Sequence, residues 1–325
     1  MGTTWGGLVG ARMMMMTMMV LPGLLTTAAE GAEIALSVRD NDGVQLGGMS
    51  LLDGDVVQFE PGSGTAEVLL AEGDFESGSI DVNAVHVRAG GQIVFSTLFN
   101  GGIGGVTFGD GDVVEYEPAT GGASVVLPES WWTGGSTATD VNAVFLRADG
   151  QFVLSHANDS DTLGGLTFTD GDIVLYDPDG DVATLLVAEA DLFDDGNGDV
   201  DGLHERADGR LLLSFDTDES IGGLSVRDGD IVEYDPVTGG ATIYFSEATF
   251  DSVDLGNDVN ALSLLPVCGP DLDGSGAVGF FDLLQVLSAW GTCPDPGDCP
   301  ADLDGSGDVG ITDLLMVIEC WGPCP

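Results

Sequence analysis

The chain has 325 residues, in which 55 acids face seven arginines and no lysine, for a formal charge of −48. A surface of that sign repels phosphate backbones and anionic bilayers, so nucleic acid is excluded as a partner and cations are the natural counterweight. Apolar residues make up an ordinary 43%, enough for packed cores.

At the N-terminus, Arg12 precedes an apolar run over 13–25 and the small residues Thr27-Ala28-Ala29. This pattern predicts a signal peptide over 1–29, cleaved after Ala29, because about 13 apolar residues fall short of the ~20 that a spanning helix needs. No other segment reaches membrane length. The expectation is a secreted protein, extracellular or at the cell surface, without membrane insertion.

Residues 33–266 repeat. Asp-Val-Asn-Ala-Val at Asp81 recurs from Asp140, as Asp-Val-Asp-Gly-Leu from Asp199 and as Asp-Val-Asn-Ala-Leu from Asp258, always at the same interval. A serine within a short apolar run, at Ser37, Ser96, Ser155 and Ser214, keeps the same step. Asp-Gly-Asp, followed by β-branched residues, begins at Asp53, Asp110, Asp170 and Asp228 with slightly variable spacing, so insertions fall in the loops between markers. Self-similarity at a fixed period, here about 59 residues, marks a repeat architecture.

Each unit reads as four short strands rich in β-branched and aromatic residues, with no helical period. Arg147-Ala148-Asp149-Gly150 and Arg206-Ala207-Asp208-Gly209 predict hairpins whose Asp-Gly pair takes positive φ at both residues. The first unit lacks its leading strand and the last, Val259 to Leu264, consists only of it. Two fragments that complete one unit predict a closed ring, an all-β four-bladed propeller, with an open stack of sheets as the alternative. The repeats resemble those of bacterial secreted proteins of unassigned function, which implies no activity.

Side chains two apart share a strand face, so Asp81, Asp140, Asp199 and Asp258 and the residues Asn83, Asn142, Asp201 and Asn260 would gather at one mouth of such a ring. Gathered carboxylates call for a cation on the axis; the competing reading makes each aspartate a cap of its own loop.

Beyond Pro266 the pattern changes. Asp271, Asp273, Ser275, Ala277 and Asp282 fall at positions 1, 3, 5, 7 and 12 of a calcium loop, and Asp302, Asp304, Ser306, Asp308 and Asp313 repeat them at one constant offset. Carboxylates and a hydroxyl supply side-chain oxygens, Ala277 and Asp308 offer backbone carbonyls, and glycine at position 6 allows the sharp turn. Two calcium ions are expected. Each loop leads into a short amphipathic helix whose apolar face holds Leu283, Val286, Leu287 and Trp290, or Leu314, Val317, Ile318 and Trp321.

This duplicated loop–helix unit over 268–325 resembles a cysteine-framed type I dockerin. The resemblance implies a small α-helical domain that anchors its cargo to a cohesin-like protein or cell-surface component, with Phe280, Phe281, Ile311 and Thr312 at the partner-contacting positions. Serine at position 5 and glycine at position 9 depart from the family pattern. With three carboxylates at the first site, affinity is expected in the extracellular range of about 0.1–1 mM.

All five cysteines, at 268, 293, 299, 320 and 324, lie in this tail. A small exported module is where disulfides belong, and the spacing lacks the knuckles of a zinc site. Sequence leaves the pairing open; the internal symmetry favours Cys293–Cys299 with Cys268–Cys324.

No catalytic constellation stands out. His86 and His204 fall on equivalent strand segments, as surface or rim residues, and the acids come in fourfold copies that point to structure or multivalent binding. The favoured reading is a noncatalytic binding or scaffold propeller, with carbohydrate among its candidate ligands, carried by a calcium-binding anchor. The alternatives are a polysaccharide-degrading enzyme of unfamiliar sequence and a calcium-binding surface structural protein.

Overall fold

A computed structural model describes the chain except residues 2–32, 40–42, 77–79, 89, 134–139, 159, 252–256, 266–269, 273–276, 294–298, 304–305 and 324–325. The chain divides into a unit Met1–Glu30 and a compact unit Gly31–Pro325. The expected signal peptide lies outside the described residues.

Four antiparallel four-stranded sheets form a four-bladed β-propeller arrangement. Blade 2 is built from Val82–Val87, Ile93–Thr97, Val113–Glu117 and Gly122–Leu127, paired in that order. Ala143–Leu146, Phe152–Ser155, Ile173–Asp177 and Val182–Val187 make blade 3, and Val200–Glu205, Leu211–Phe215, Ile231–Asp235 and Gly240–Phe245 make blade 4. Blade 1 joins the two ends of the repeat region: Ala261–Leu264 pairs with Ile34–Ser37 in the register Ala261↔Ser37 to Leu264↔Ile34, followed by Val56–Glu60 and Thr65–Leu70. The ring is therefore closed by one shared sheet, which removes the edges an open stack would expose.

The first strand of each blade is innermost, and these four strands pack on one another around the axis. Between successive blades lie four apolar clusters. Phe95, Ile80 and Ile103 fill the interface of blades 1 and 2, and Leu154, Leu163 and Tyr176 that of blades 2 and 3. Leu213, Phe215 and Ile221 fill that of blades 3 and 4, and Leu36, Phe245 and Leu262 that of blades 4 and 1. Removing one such ring, as in Phe95→Ala, costs about 3–5 kcal/mol.

The serine and Asp-Gly-Asp markers serve one another. Ser37 Oγ donates to the carbonyls of Asp53 and Asp55, Ser96 Oγ to those of Asp110 and Asp112, and Ser155 Oγ to those of Asp170 and Asp172, at 2.7–3.2 Å. The last aspartate of each motif, Asp55, Asp112, Asp172 or Asp230, accepts the amide three residues before it. It also accepts that of Glu72, Glu129, Glu189 or Glu247 at 2.7–2.9 Å. Each ties the loop before a blade's third strand to the short helical turn that follows its fourth. The central glycine is obligatory, since a Cβ on Gly171 would stand 2.4 Å from the carbonyl oxygen of Gly198.

Two sequence expectations change. Arg147 N donates to Gln151 O and Gly150 N to Arg147 O, and only the glycine takes positive φ, at 88°. The hairpin is a three-residue loop with a glycine bulge, so Asp149 stays in ordinary φ space. Each unit also carries a second, two-stranded hairpin, for example Asp161–Leu163 with Leu166–Phe168. Its Gly164-Gly165 turn has φ of 53° and 78° at the two glycines.

The tail has its own core of Val278, Val286, Cys293, Ala301, Val309 and Val317. Helices Phe280–Ser288 and Ile311–Glu319 follow two loops tied by short ladders, Ala277↔Pro323 with Val278↔Gly322, and Gly291↔Val309 with Thr292↔Asp308. The offset that relates the two loops also carries Ala277 onto Asp308 and Gly291 onto Gly322, so the two units are related by an internal twofold. Leu287, Trp290, Ile318 and Trp321, expected on the buried face, are instead about half exposed. So small a core accommodates one stripe per helix, Leu283 and Val286 or Leu314 and Val317, and leaves the second stripe outside.

Candidate functional site

The axis has two chemically opposite mouths. At the start of the inner strands, the side chains that sequence placed together do meet, and they bond from blade to blade. Asn83 Nδ2 donates to Asp140 Oδ1 at 2.6 Å, Asn142 Nδ2 to Asp199 Oδ2 at 3.4 Å, and Asn260 Nδ2 to Asp81 Oδ1 at 2.9 Å. The fourth link differs, because blade 4 carries Asp201 where the others carry asparagine. There Arg39 enters, its guanidinium 2.9 Å from Asp201 and 3.2 Å from Asp258, and also paired with Asp216. These three carboxylates lie within 4.8 Å of one another, a spacing that a metal ion could bridge, and the protein places its own cation among them.

Desolvation dominates the electrostatics of this girdle. Burial pushes the carboxyls of Asp81 and Asp199 up to about 7 and that of Asp140 up to about 6, against the asparagine bonds that favour ionisation. Asp201, 1% exposed, is raised well above the usual carboxylate range by the same cause. The girdle cross-links neighbouring blades, a role that neither the axial-cation nor the loop-cap reading foresaw.

The other mouth opens into a cavity of about 750 Å³. His86, Phe145, His204 and Ser263, at the same place in successive repeats, form a layer across the axis. Phe145 packs against both imidazoles at centroid distances of 4.4 and 4.9 Å, and the imidazoles stand 6.0 Å apart. His86 is only 7% exposed, so the histidines are axial rather than surface residues. Burial lowers their pKa to about 3 for His86 and about 4 for His204, and both are neutral. His204 Nδ1 accepts from Leu264 N at 3.1 Å, whereas His86 Nδ1 has no partner among the described residues.

Above this layer stand Arg88, Arg147 and Arg206, three of the chain's seven arginines at one repeat position, with Leu265 at the fourth. Each faces a glutamate: Arg88–Glu115 at 2.5 Å, Arg147–Glu205 through two bonds of 2.6 Å, and Arg206–Glu233. No sequence motif announced this mouth. The visible signal was arginine at 88, 147 and 206, two positions after His86, Phe145 and His204.

In the tail, Asp282 and Asp313 are each 1% exposed. Asp282 accepts from Gly279 N at 2.7 Å, and Asp313 from Gly310 N at 2.6 Å and Leu303 N at 2.7 Å. Asp302 folds its own loop, accepting from Ser306 N at 3.0 Å and Gly307 N at 2.8 Å. Asp271 is half-buried, Asp308 is exposed, and Ala277 lies in the short ladder. Asp273, Ser275 and Asp304 lie outside the described residues. Phe280, Phe281 and Ile311 are 60–68% exposed, and Thr312 is exposed beside them. Cys293 and Cys299 form a disulfide with Cα atoms 5.9 Å apart. Cys268 and Cys324 lie outside the described residues, and Cys320 is exposed after the second helix.

The fold defines a closed β-propeller-like repeat ring followed by a duplicated loop–helix module. No protein-family model matches the chain, and no curated protein matches it. Among solved structures, it is similar to a protein of unknown function from Bacteroides caccae, at 9% identity over 72% of this chain and 98% of that one, with a TM-score of 0.35. A chain of a nidogen/laminin complex has 8% identity over 72% and 98%, with a TM-score of 0.36. A luciferin-regenerating enzyme has 10% identity over 62% and 58%, with a TM-score of 0.28. Likenesses this distant carry no functional argument. Among the described residues, no helix is long and apolar enough to cross a membrane.

Proposed function

We propose that this is a secreted calcium-binding protein in which a dockerin-like module, residues 268–325, anchors a noncatalytic propeller to a surface or multiprotein assembly. The observation that carries the reading is electrostatic. The module has ten carboxylates and no lysine, arginine or histidine, yet Asp282 and Asp313 are almost fully buried. A module of that charge draws its counter-charge from solution, and a divalent cation held by carboxylate and carbonyl oxygens supplies it. Asp302, whose two oxygens organise its loop amides, and Asp313, which bridges loop start and helix start, fit the arrangement of an oxygen-ligand calcium loop.

Asp271, Asp273, Ser275, Asp282 and the Ala277 carbonyl would hold one calcium ion, and Asp302, Asp304, Ser306, Asp313 and the Asp308 carbonyl the other. Calcium would neutralise the buried carboxylates and rigidify the two loops. The exposed pairs Phe280/Ile311, Leu284/Leu315, Leu287/Ile318 and Trp290/Trp321 offer two equivalent apolar faces to a cohesin-like partner. Among the described residues the cavity is lined by a single carboxylate, Glu205, which Arg147 engages twice. Glycoside hydrolysis uses two carboxylates.

Titration calorimetry of the full chain with calcium tests the proposal. Two sites near 0.1–1 mM are expected, with Asp313→Asn losing one. No heat of binding at millimolar calcium refutes it.

A further inference from the structure

The repeated features of the ring are structural: serine hydroxyls on loop carbonyls in three blades, aspartates on helical turns, apolar residues between blades. The arginine mouth breaks the fourfold pattern. Its floor carries two imidazoles and one phenyl ring, with the buried Ser263 at the fourth equivalent position, and its rim carries three arginines and a leucine. A ring needs no such variety to close. The preceding residue of the repeat is Val85, Val144, Leu203 or Leu262, uniformly apolar and buried.

His86 is the informative member. Its opposite number, His204, has Nδ1 satisfied by Leu264 N, and the Ser263 hydroxyl lies 3.4 Å away. His86 hydrogen-bonds to the Leu146 backbone, which leaves a buried Nδ1 lone pair without a partner among the described residues, on a side chain that lines the cavity and is only 7% exposed. An orphaned buried acceptor is destabilising, a burden that a ligand bearing an O–H or N–H donor relieves. Leucine would fill the same place without that cost.

Charge narrows the ligand further. The net −48 repels anions, and each arginine at the mouth is paired with Glu115, Glu205 or Glu233, so the mouth holds no spare charge to bind an ion of either sign. What remains favourable is an uncharged molecule. Planar Arg–Glu pairs present adjacent donors and acceptors that match neighbouring hydroxyls, and Phe145, Leu146 and Leu264 supply an apolar wall. The volume of about 750 Å³ falls within the ~300–1,000 Å³ of ligand sites.

We propose that the arginine mouth binds a neutral, hydroxylated ring compound of sugar type, one hydroxyl donating to His86 Nδ1 while its apolar face lies on Phe145, Leu146 and Leu264. The inference rests on the repeats being a binding ring and is independent of calcium in the tail. Ligand enters from the rim, displaces water from an apolar floor and, with a small turn of the buried imidazole, gives His86 Nδ1 the donor it lacks among the described residues.

The test uses the full chain in excess chelator at neutral pH, with cellobiose, maltose and xylobiose as neutral probes and glucuronate and glucosamine as charged controls. At least one neutral disaccharide binds with a stoichiometry of one, and His86→Leu weakens it tenfold or more while raising the melting temperature of the unliganded protein. In the unsubstituted protein, ¹⁵N spectra show the His86 Nδ1 resonance moving on saturation and that of His204 unmoved, a readout that needs no variant to fold. No binding by any neutral probe at about 10 mM, tighter binding of glucuronate, or unchanged affinity in His86→Leu overturns the proposal. Binding that survives His86→Leu leaves the ring a binding domain with its site elsewhere, whereas a failed calcium titration concerns only the tail.

Discussion

Asp201→Asn should stabilise the ring. In the other three blades an asparagine at this position donates across the blade interface at 2.6–3.4 Å. In blade 4 a carboxylate of 1% exposure stands beside Asp258 and relies on Arg39. The substitution forfeits one charge-assisted bond of about 1.5–3 kcal/mol, removes a desolvation penalty of several kcal/mol, and adds an amide bond to Asp258 of about the same strength as the one lost. Arg39 keeps Asp216 and Asp258, so no charge is orphaned. A net gain of about 1–2 kcal/mol follows, or roughly 2–6 °C in Tm for a domain of this size. Because burial raises the folded-state pKa of Asp201, its proton uptake favours folding, fully so below the ordinary value of 3.8 and less as pH rises. The gain from Asp201→Asn is therefore largest at pH 8 and shrinks toward pH 4. Thermal and urea denaturation across that range provide the assay. Arg39→Ala, for comparison, costs about 2 kcal/mol, below the figure for a fully buried pair because the arginine is 38% exposed, and costs less in the Asp201→Asn background. A Tm that falls at pH 8 on Asp201→Asn would show that the Arg39–Asp201 pair outweighs the amide bond and that desolvation does not govern the girdle.

Ser155→Ala removes a hydroxyl that serves two carbonyls and should cost about 1–2 kcal/mol. Ser214→Ala should be close to neutral, because Ser214 Oγ has no partner among the described residues and turns toward the space left by Gly202; urea midpoints compare the two directly. His86 and His204 have folded pKa values near 3 and 4, below the unfolded value near 6.5, so the stability they confer is present above pH 6.5 and lost as pH falls toward 4. His86→Leu should remove up to about 1.4 kcal/mol per pH unit of that acid sensitivity, and Tm–pH curves of unchanged slope would contradict the assignment. Gly171→Ala should destabilise by about 2 kcal/mol or more, since its Cβ would stand 2.4 Å from the Gly198 carbonyl oxygen; a Tm within a degree of the unsubstituted protein would refute that contact.

Much of the architecture was legible because repeats and turns are local. The constant repeat step and the half-unit at each end sufficed to expect a ring closed by Ala261–Leu264 on Ile34–Ser37. The Gly-Gly turns passed unread although both glycines announce a tight hairpin, and Asp149-Gly150 was assigned the wrong turn, because loop length rather than the dipeptide decides it. The aspartates at 81, 140, 199 and 258 were correctly gathered at one mouth, yet their partners were not foreseen. Asn83 meets Asp140, and Asn260 meets Asp81 across 179 residues, only once the inner strands pack around an axis.

Composition, periodicity and the duplicated Asp-rich loops belong to the sequence, since each depends on spacing along the chain. Which groups end up partnered does not. His86 and His204 hold equivalent strand positions, and only the closed ring, which turns successive blades about one axis, brings them 6.0 Å apart and satisfies one Nδ1 while leaving the other bare. Arg39 shows the same in reverse: nothing near it in the chain marks it as special. Folding sets it against Asp201, 162 residues away, and against Asp258, farther still, because desolvated charges must find partners wherever the tertiary structure places them.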